Sequence, residues 1–276
     1  AQEKLEEIIE GVKQKKDIYK KIMDRFETIL TLTSENIVKV LEERILKKKE
    51  QAIPVVADIY SKYGGIISYA SKMEDANRAM AECKEEDFIP SYPFLPYQLE
   101  INQQIFANIR RESGHSRKLT GTERSMLGVT QGILKSPDTD FKESEPGRLV
   151  TYHELFDQIA VEIPSETMRD LNSVNLNIDG DKEIAKKTIK TLYMLQQLKW
   201  IPKTPRNVVK AMIERVDIDV STLERKIEKA LNELVVAKYA ILENGQYEYI
   251  SGSKKMIEEE ISKEQIKNHE VKRFAK

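Results

Sequence analysis

Cysteine is almost missing from this chain: Cys83 stands alone among 276 residues. No intramolecular disulfide can form, so a reducing, cytoplasmic setting is expected. Histidine is scarce as well, and His115, His153 and His269 lack cysteine or carboxylate neighbours at metal-ligand spacing. That pattern disfavours a zinc site. No apolar run nears the roughly 20 residues that span a bilayer, and no signal peptide opens the chain, so no membrane contact is expected. Charge of one sign is lacking too, since 45 Lys and Arg face 46 Asp and Glu for a net −1. A whole-protein basic field is thereby excluded, and any nucleic-acid contact must come from a local patch. No G-x-x-x-x-G-K-[ST] loop occurs; Gly128 and Gly132 have the wrong spacing and no lysine follows them directly. The chain therefore has no P-loop route to ATP, and no cofactor is expected in it. Cys83 sits among charges without an evident base, which reads as an inert thiol. Paired carboxylates such as Glu42-Glu43 or Glu258-Glu259-Glu260 read as solvated helix faces. A stand-alone enzyme is the least supported class, and no catalytic residue is assigned.

What the chain has in abundance is Lys, Glu, Ile and Leu, which favours helix. Leu5, Ile8, Ile9, Val12, Tyr19, Ile22, Phe26 and Leu30 recur at helical spacing, and Ile37, Val40, Leu41 and Ile45 form the stripe of a second helix capped near Thr33 or Ser34. Pro54 interrupts or restarts that helix, and Gly64-Gly65 is expected to end it. A polar helix is expected over 71–86. The run Pro90-Ser-Tyr-Pro-Phe-Leu-Pro-Tyr97 reads as a rigid, non-helical lead-in to an amphipathic helix carrying Leu99, Ile105, Phe106 and Ile109. A basic loop follows, and then a helix opened by Thr120-Gly-Thr-Glu-Arg-Ser-Met-Leu127. The stretch 136–148 reads as a polar loop, more mobile than packed. A short strand or turn over 149–152 and a helix over 153–163 come next. Asn, Asp and Ser over 167–181 suggest a linker.

The fold of 182–250 is the most fully legible. A helix over 182–198 turns Ile184, Thr188, Leu192 and Leu195 inward. Thr204-Pro205 supplies an N-cap and a proline at the first helical position, opening a helix with Val208, Val209, Met212, Ile213 and Val216. Asp217-Ile-Asp219 is a turn, and Ser221-Thr-Leu-Glu224 reads as a capping box for a third helix lined by Leu223, Ile227, Ala230, Leu231 and Leu234. Two β-prone runs flank Glu243-Asn-Gly-Gln246, and Asn-Gly favours a type I′ hairpin. Three helices followed by a hairpin describe a winged helix-turn-helix.

Basic residues cluster in this module. Lys182, Lys186, Lys187, Lys190, Lys199, Lys203, Arg206 and Lys210 have only Glu183 among them, a surplus that could track a phosphate backbone. On the third helix Arg225, Lys226 and Lys229 alternate with Glu224, Glu228 and Glu233. A base-reading helix usually carries fewer acids, so a solvated or protein-facing surface stands beside the DNA reading. Arg124 could reach an anion held by a neighbouring domain, or pair locally with Glu123. Arg25 and Arg44 read as ordinary helix-surface residues from spacing alone.

Four motifs carry a resemblance. Arg25-Phe26, Leu32-Thr-Ser-Glu-Asn36 running into Glu43-Arg-Ile-Leu-Lys-Lys48, Tyr92-Pro-Phe-Leu-Pro-Tyr-Gln98 and Lys118-Leu-Thr-Gly-Thr-Glu-Arg-Ser-Met-Leu127 together resemble the BREX phage-resistance P-loop ATPase (BrxC/PglY type), in the region downstream of its nucleotide-binding core. The resemblance covers roughly residues 20 to 160 by motif and the later module by order alone. It departs from the family in lacking the Walker motifs. It implies a helical lid followed by a winged helix. By that analogy Arg124 resembles a γ-phosphate-sensing arginine, with Arg25 and Arg44 as further nucleotide-sensing candidates. ATP and Mg would belong to the full-length protein, with possible homo-oligomerisation through its ATPase core.

The expectation is thus a mainly α chain, and Ala1 in place of a starting methionine suggests a fragment of a longer protein. Residues 1–60 would be N-terminal helices at the end of the core, 61–165 a helical lid-like domain, 166–181 a linker, 182–252 a winged helix and 253–276 a charged helical tail. The expected function is the lid plus winged-helix portion of a phage-defence ATPase, coupling nucleotide state to DNA or to other defence subunits. The alternatives are a winged-helix DNA-binding transcriptional regulator and a non-enzymatic protein-interaction scaffold.

Overall fold

The computed structural model describes residues 34–113, 122–252, 254–255 and 260. Among them are ten α-helices and one two-stranded antiparallel sheet. The helices are α1 (Ser34–Arg44), α2 (Ile53–Ser71), α3 (Glu85–Ser91), α4 (Pro96–Glu112), α5 (Thr122–Lys135), α6 (Tyr152–Gln158), α7 (Ser165–Asn177), α8 (Lys182–Gln196), α9 (Pro205–Ala211) and α10 (Val220–Val236). The strands are β1 (Ala240–Glu243) and β2 (Gln246–Tyr249). No helix among the described residues is long and apolar enough to cross a membrane.

One hydrophobic core runs without a break from Ile37 in α1 to Tyr249 in β2. In the first half, α4 packs against α1, α3 and α5, and α2 against α3. In the second, α8 is the hub, contacting α6, α7, α9, α10 and β2. Its Leu192, Met194 and Leu195 are fully buried, as an apolar stripe at helical spacing demands. Ile184, expected inward, is only half-buried.

Local signals set several ends as expected. Thr204 Oγ1 accepts from Asn207 N at 3.3 Å, with Pro205 opening α9. Asp181 Oδ1 accepts from Ile184 N at 3.1 Å and starts α8. At the hairpin, Glu243 pairs with Gln246 across Asn244 (φ 51°) and Gly245 (φ 75°), the two positive φ values a type I′ turn needs. The third helix begins earlier than expected. Asp219, not Ser221, is its cap, accepting from Ser221 N at 3.1 Å and Thr222 N at 3.3 Å. Donation from the Thr222 and Ser221 hydroxyls, and after them from these backbone groups, holds the Asp219 carboxyl down at about 2.

Other expectations are corrected by tertiary contacts. α2 does not stop at Gly64-Gly65 but continues to Ser71, with a kink at Tyr63 (φ −118°, ψ 20°). Residues 72–84 form no helix. Their backbone is held instead by the second half of the chain: Glu74 N donates to Asn207 Oδ1 at 2.8 Å, Asn207 Nδ2 to Glu74 O at 3.0 Å, and Asn77 N to Trp200 O at 2.9 Å. Pro90 lies inside α3, one residue from its end, where the helix loses a single intrahelical bond. Residues 166–181 are largely not a linker. α7 occupies most of the stretch and buries Leu171 and Val174, with Ile178 just beyond it.

The loop 136–148 is packed rather than loose. Thr139 is buried, Phe141 lies against the core, and Gly147 N donates to Tyr92 Oη at 2.8 Å. Gly147 adopts φ +100°, and a Cβ there would press on Val216 Cγ2 at 3.0 Å, so glycine is required at this crossing. The following residues make no strand pair beyond an isolated bridge between Arg148 and Arg215. Thr151 caps α6 in a reciprocal box, its N–H and Oγ1 both donating to Glu154 Oε2 at 2.9 Å.

Candidate functional site

The basic residues of 182–229 do not form one free surface. Lys190, Lys203 and Lys210 are buried. The Lys190 ammonium pairs with Asp157 at 2.5 Å and lies over the Phe156 ring. Lys203 pairs with Glu248 of β2 at 3.7 Å. Lys210 donates to Lys72 O at 2.7 Å, pairs with Glu74 at 3.2 Å and covers the Tyr69 ring at 4.4 Å. These three are corrected as DNA contacts. Each ammonium is itself buried and is committed to a partner on another element, so it is not presented to a phosphate backbone.

The remaining candidates divide by exposure and pairing. Lys187 pairs with Glu183 at 3.9 Å and Glu214 at 3.8 Å, and Arg206 with Glu74 at 3.5 Å and Glu224 at 3.9 Å. Lys229 pairs with Glu233 at 3.9 Å. Such half-exposed and exposed pairs are weak and could exchange for phosphate. Arg225 is exposed and turns back onto Thr222 Oγ1 at 3.0 Å. Lys182, Lys186 and Lys226 form no ion pair with described residues; Lys182 and Lys226 are exposed and Lys186 half-buried. They are the free part of the predicted DNA surface.

Of the nucleotide-sensing candidates, Arg25 lies outside the described residues. Arg124 is in the first turn of α5. Arg44 ends α1, exposed, and lines an open groove of about 630 Å³ with Lys39, Lys47, Lys48, Ile53 and Pro90. The structure thus brings Arg44 together with a set of lysines that periodicity did not single out. The signal was present in the sequence as the run Lys47-Lys48-Lys49, which reads only as a basic helix end until α3 closes over it.

A second charged cluster, also not foreseen, joins the two halves at α6 and α8. Arg148 donates to Glu154 in a short, buried ion pair. Burial still raises the Glu154 carboxyl above its usual range, against the pull of Arg148 and of the Thr151 donors. His153, beside Thr151 Oγ1 at 2.9 Å, is pushed down to about 3, by burial first and then by Lys187, Lys190 and Arg148. It is therefore neutral at physiological pH. The Thr151-x-x-Glu154 spacing is a capping-box pattern that could have located half of this cluster in the sequence.

Burial raises the Cys83 thiol, which leaves little thiolate at neutral pH. Among the described residues no group of three or more His, Cys, Asp or Glu could hold a metal ion. No protein-family model and no solved structure matches this chain.

Proposed function

We propose that this chain is the lid plus winged-helix portion of a phage-defence ATPase, acting in the cytoplasm to couple nucleotide state to contact with DNA or with another defence subunit. The observation that carries the reading is the packing of 182–250: α8 meets α9, α10 and β2, β1 lies against α10, and a two-residue turn closes the hairpin. That order and those contacts suit a winged helix-turn-helix. The unbroken core supports coupling, because a displacement of the first half would be carried into the module through packed side chains. In this reading ATP and Mg are bound by the P-loop core of the full-length protein. Arg124→Ala in that protein is expected to abolish hydrolysis while leaving the fold intact, and unchanged turnover would remove the sensing role.

For the module itself, Lys182, Lys186 and Lys226 support a sequence-independent contact with the phosphate backbone. Fluorescence anisotropy of the chain on labelled duplex DNA tests this. Affinity should fall steeply with salt, and the triple charge reversal to Glu should weaken binding by about tenfold or more. Lys210→Met is the internal control, with a lower unfolding midpoint and unchanged DNA affinity. The protein-partner reading is favoured by a specific observation: six of the ten basic candidates already face carboxylates. Absence of DNA binding at low salt would move the reading there.

A further inference from the structure

The groove between the end of α1 and α3 holds a cation that the fold fixes but does not neutralise. Pro90 and Tyr92 stand at the C-terminal end of α3, where carbonyl oxygens have no donor within the helix. Lys48 supplies one. Its half-buried side chain donates from Nζ to Pro90 O at 2.7 Å and to Tyr92 O at 2.5 Å. Two accepting carbonyls favour the ammonium, so a positive charge is held in place there. Among the described residues no carboxylate forms an ion pair with it. An ammonium carries three protons, and no described residue accepts from the third.

Lys39, Arg44 and Lys47 line the same groove. All three are exposed, and none forms an ion pair with a described residue. Glu42 and Glu43 are the acids of the lining. With both ionised, four cations against two carboxylates leave an excess of two positive charges. A phosphate monoester cancels that excess, since it carries close to two negative charges at pH 7. A carboxylate or a phosphate diester carries one, and leaves half of the excess unmet. Leu46, Ile53, Ile89 and Pro90 form an apolar wall. Ile53 is 42% exposed, a large hydrophobic side chain left uncovered at the groove. The volume of about 630 Å³ falls within the range of small-molecule sites.

We propose that this groove binds phosphate monoesters whose organic part is apolar or aromatic. The Lys48 ammonium is the fixed contact for the phosphate. Arg44 adds a fork of N–H donors whose geometry matches phosphate oxygens, and Lys39 and Lys47 add point charges. The organic part covers Ile53 and Pro90. Desolvation lowers the Lys48 ammonium to about 8, and a bound dianion offsets that cost. The site is separate from the sensing role considered for Arg44. That role requires nucleotide held by another domain, whereas here the ligand rests on this chain alone, so either can fail without the other.

Isothermal titration calorimetry of the whole chain at pH 7 and low salt tests this with three probes: phenyl phosphate, methyl phosphate and the diester methyl phenyl phosphate. Phenyl phosphate should bind about tenfold more tightly than methyl phosphate, through the apolar area its ring covers. It should bind several-fold more tightly than the diester, which keeps the ring and loses one charge. Arg44→Ala with Lys47→Ala should weaken phenyl phosphate by about tenfold and leave the unfolding midpoint unchanged, since both side chains are exposed and unpaired. Glu43→Gln, which removes an exposed acid from the lining, should tighten binding. Lys182→Glu with Lys226→Glu should leave it unchanged. The proposal is overturned if phenyl phosphate shows no saturable binding, if methyl phosphate or the diester binds as tightly, or if the Arg44 and Lys47 double variant binds like the wild type. Weaker binding in Glu43→Gln would overturn it as well. So would an equal loss from the Lys182 and Lys226 reversal, which would show attraction spread over the whole surface.

Discussion

Arg148→Met is expected to destabilise the fold by about 3 to 5 kcal/mol at pH 8, the range for removing one partner of a buried ion pair. The Arg148 and Glu154 side chains are 16% and 6% exposed, so water cannot replace the guanidinium. The same group also donates to Leu149 O and Glu214 O, both at 3.3 Å, and lies 5.0 Å from the Phe141 ring centre. Glu154 would be left with the N–H and hydroxyl of Thr151 alone. Its carboxyl, already raised by burial, would rise further. The pH dependence then has a definite sign. A carboxyl whose folded value lies above its unfolded 4.5 binds more protons in the native state, so stability declines as pH rises through that window. The damage in Arg148→Met should therefore be full at pH 8 and partly relieved near pH 5, as read by urea unfolding at both. Adding Glu154→Gln should recover a large part of the loss at pH 8. No recovery in the double variant would show that the stranded carboxylate is not the cause.

The second large effect belongs to His153. Held near 3 in the folded chain against an ordinary 6.5, it stays neutral while the unfolded chain takes up a proton. The unfolded state binds more protons between those values, so stability falls as the solution is acidified below about pH 6.5. The contribution is about 2.5 kcal/mol between pH 7.5 and pH 4.5, and it continues to grow toward pH 3. Glu154 acts in the opposite direction above 4.5, and it is common to the wild type and any His153 variant, so the difference between them isolates the histidine. His153→Gln keeps a polar group beside Thr151 and removes the titration. Its unfolding free energy should be less sensitive to acid than that of the wild type by about that amount. Parallel pH curves for the two proteins would rule out a buried neutral histidine here.

Both effects arise from side chains whose importance periodicity alone does not show. Arg148 sits at the end of a polar, proline-containing stretch that reads as a loose loop, and its partners are Glu154, Glu214 and Phe141. Lys210 and Lys190 look like surface cations in a basic run. One meets Glu74, 136 positions away, and the other Asp157, 33 positions away, each through a helix packing that no local pattern encodes. The strap over 72–84 is a similar case. Its polar composition is helix-compatible, but Asn207 and Trp200 take up its backbone groups from the far half of the chain.

The sequence by itself determined the mainly helical character, the helix–helix–helix–hairpin order of 182–250 and the turn at Asn244-Gly245. These are matters of short range: a 3.6-residue apolar period, a threonine before a proline, and a dipeptide that tolerates positive φ. Only the tertiary structure decided that α7 stands where a linker was expected, that both halves share one core, and which cations are spent inside it. Burial and pairing depend on what arrives from elsewhere in the chain. An ammonium group is a ligand for solvent or a strut for the fold according to neighbours its own segment does not contain.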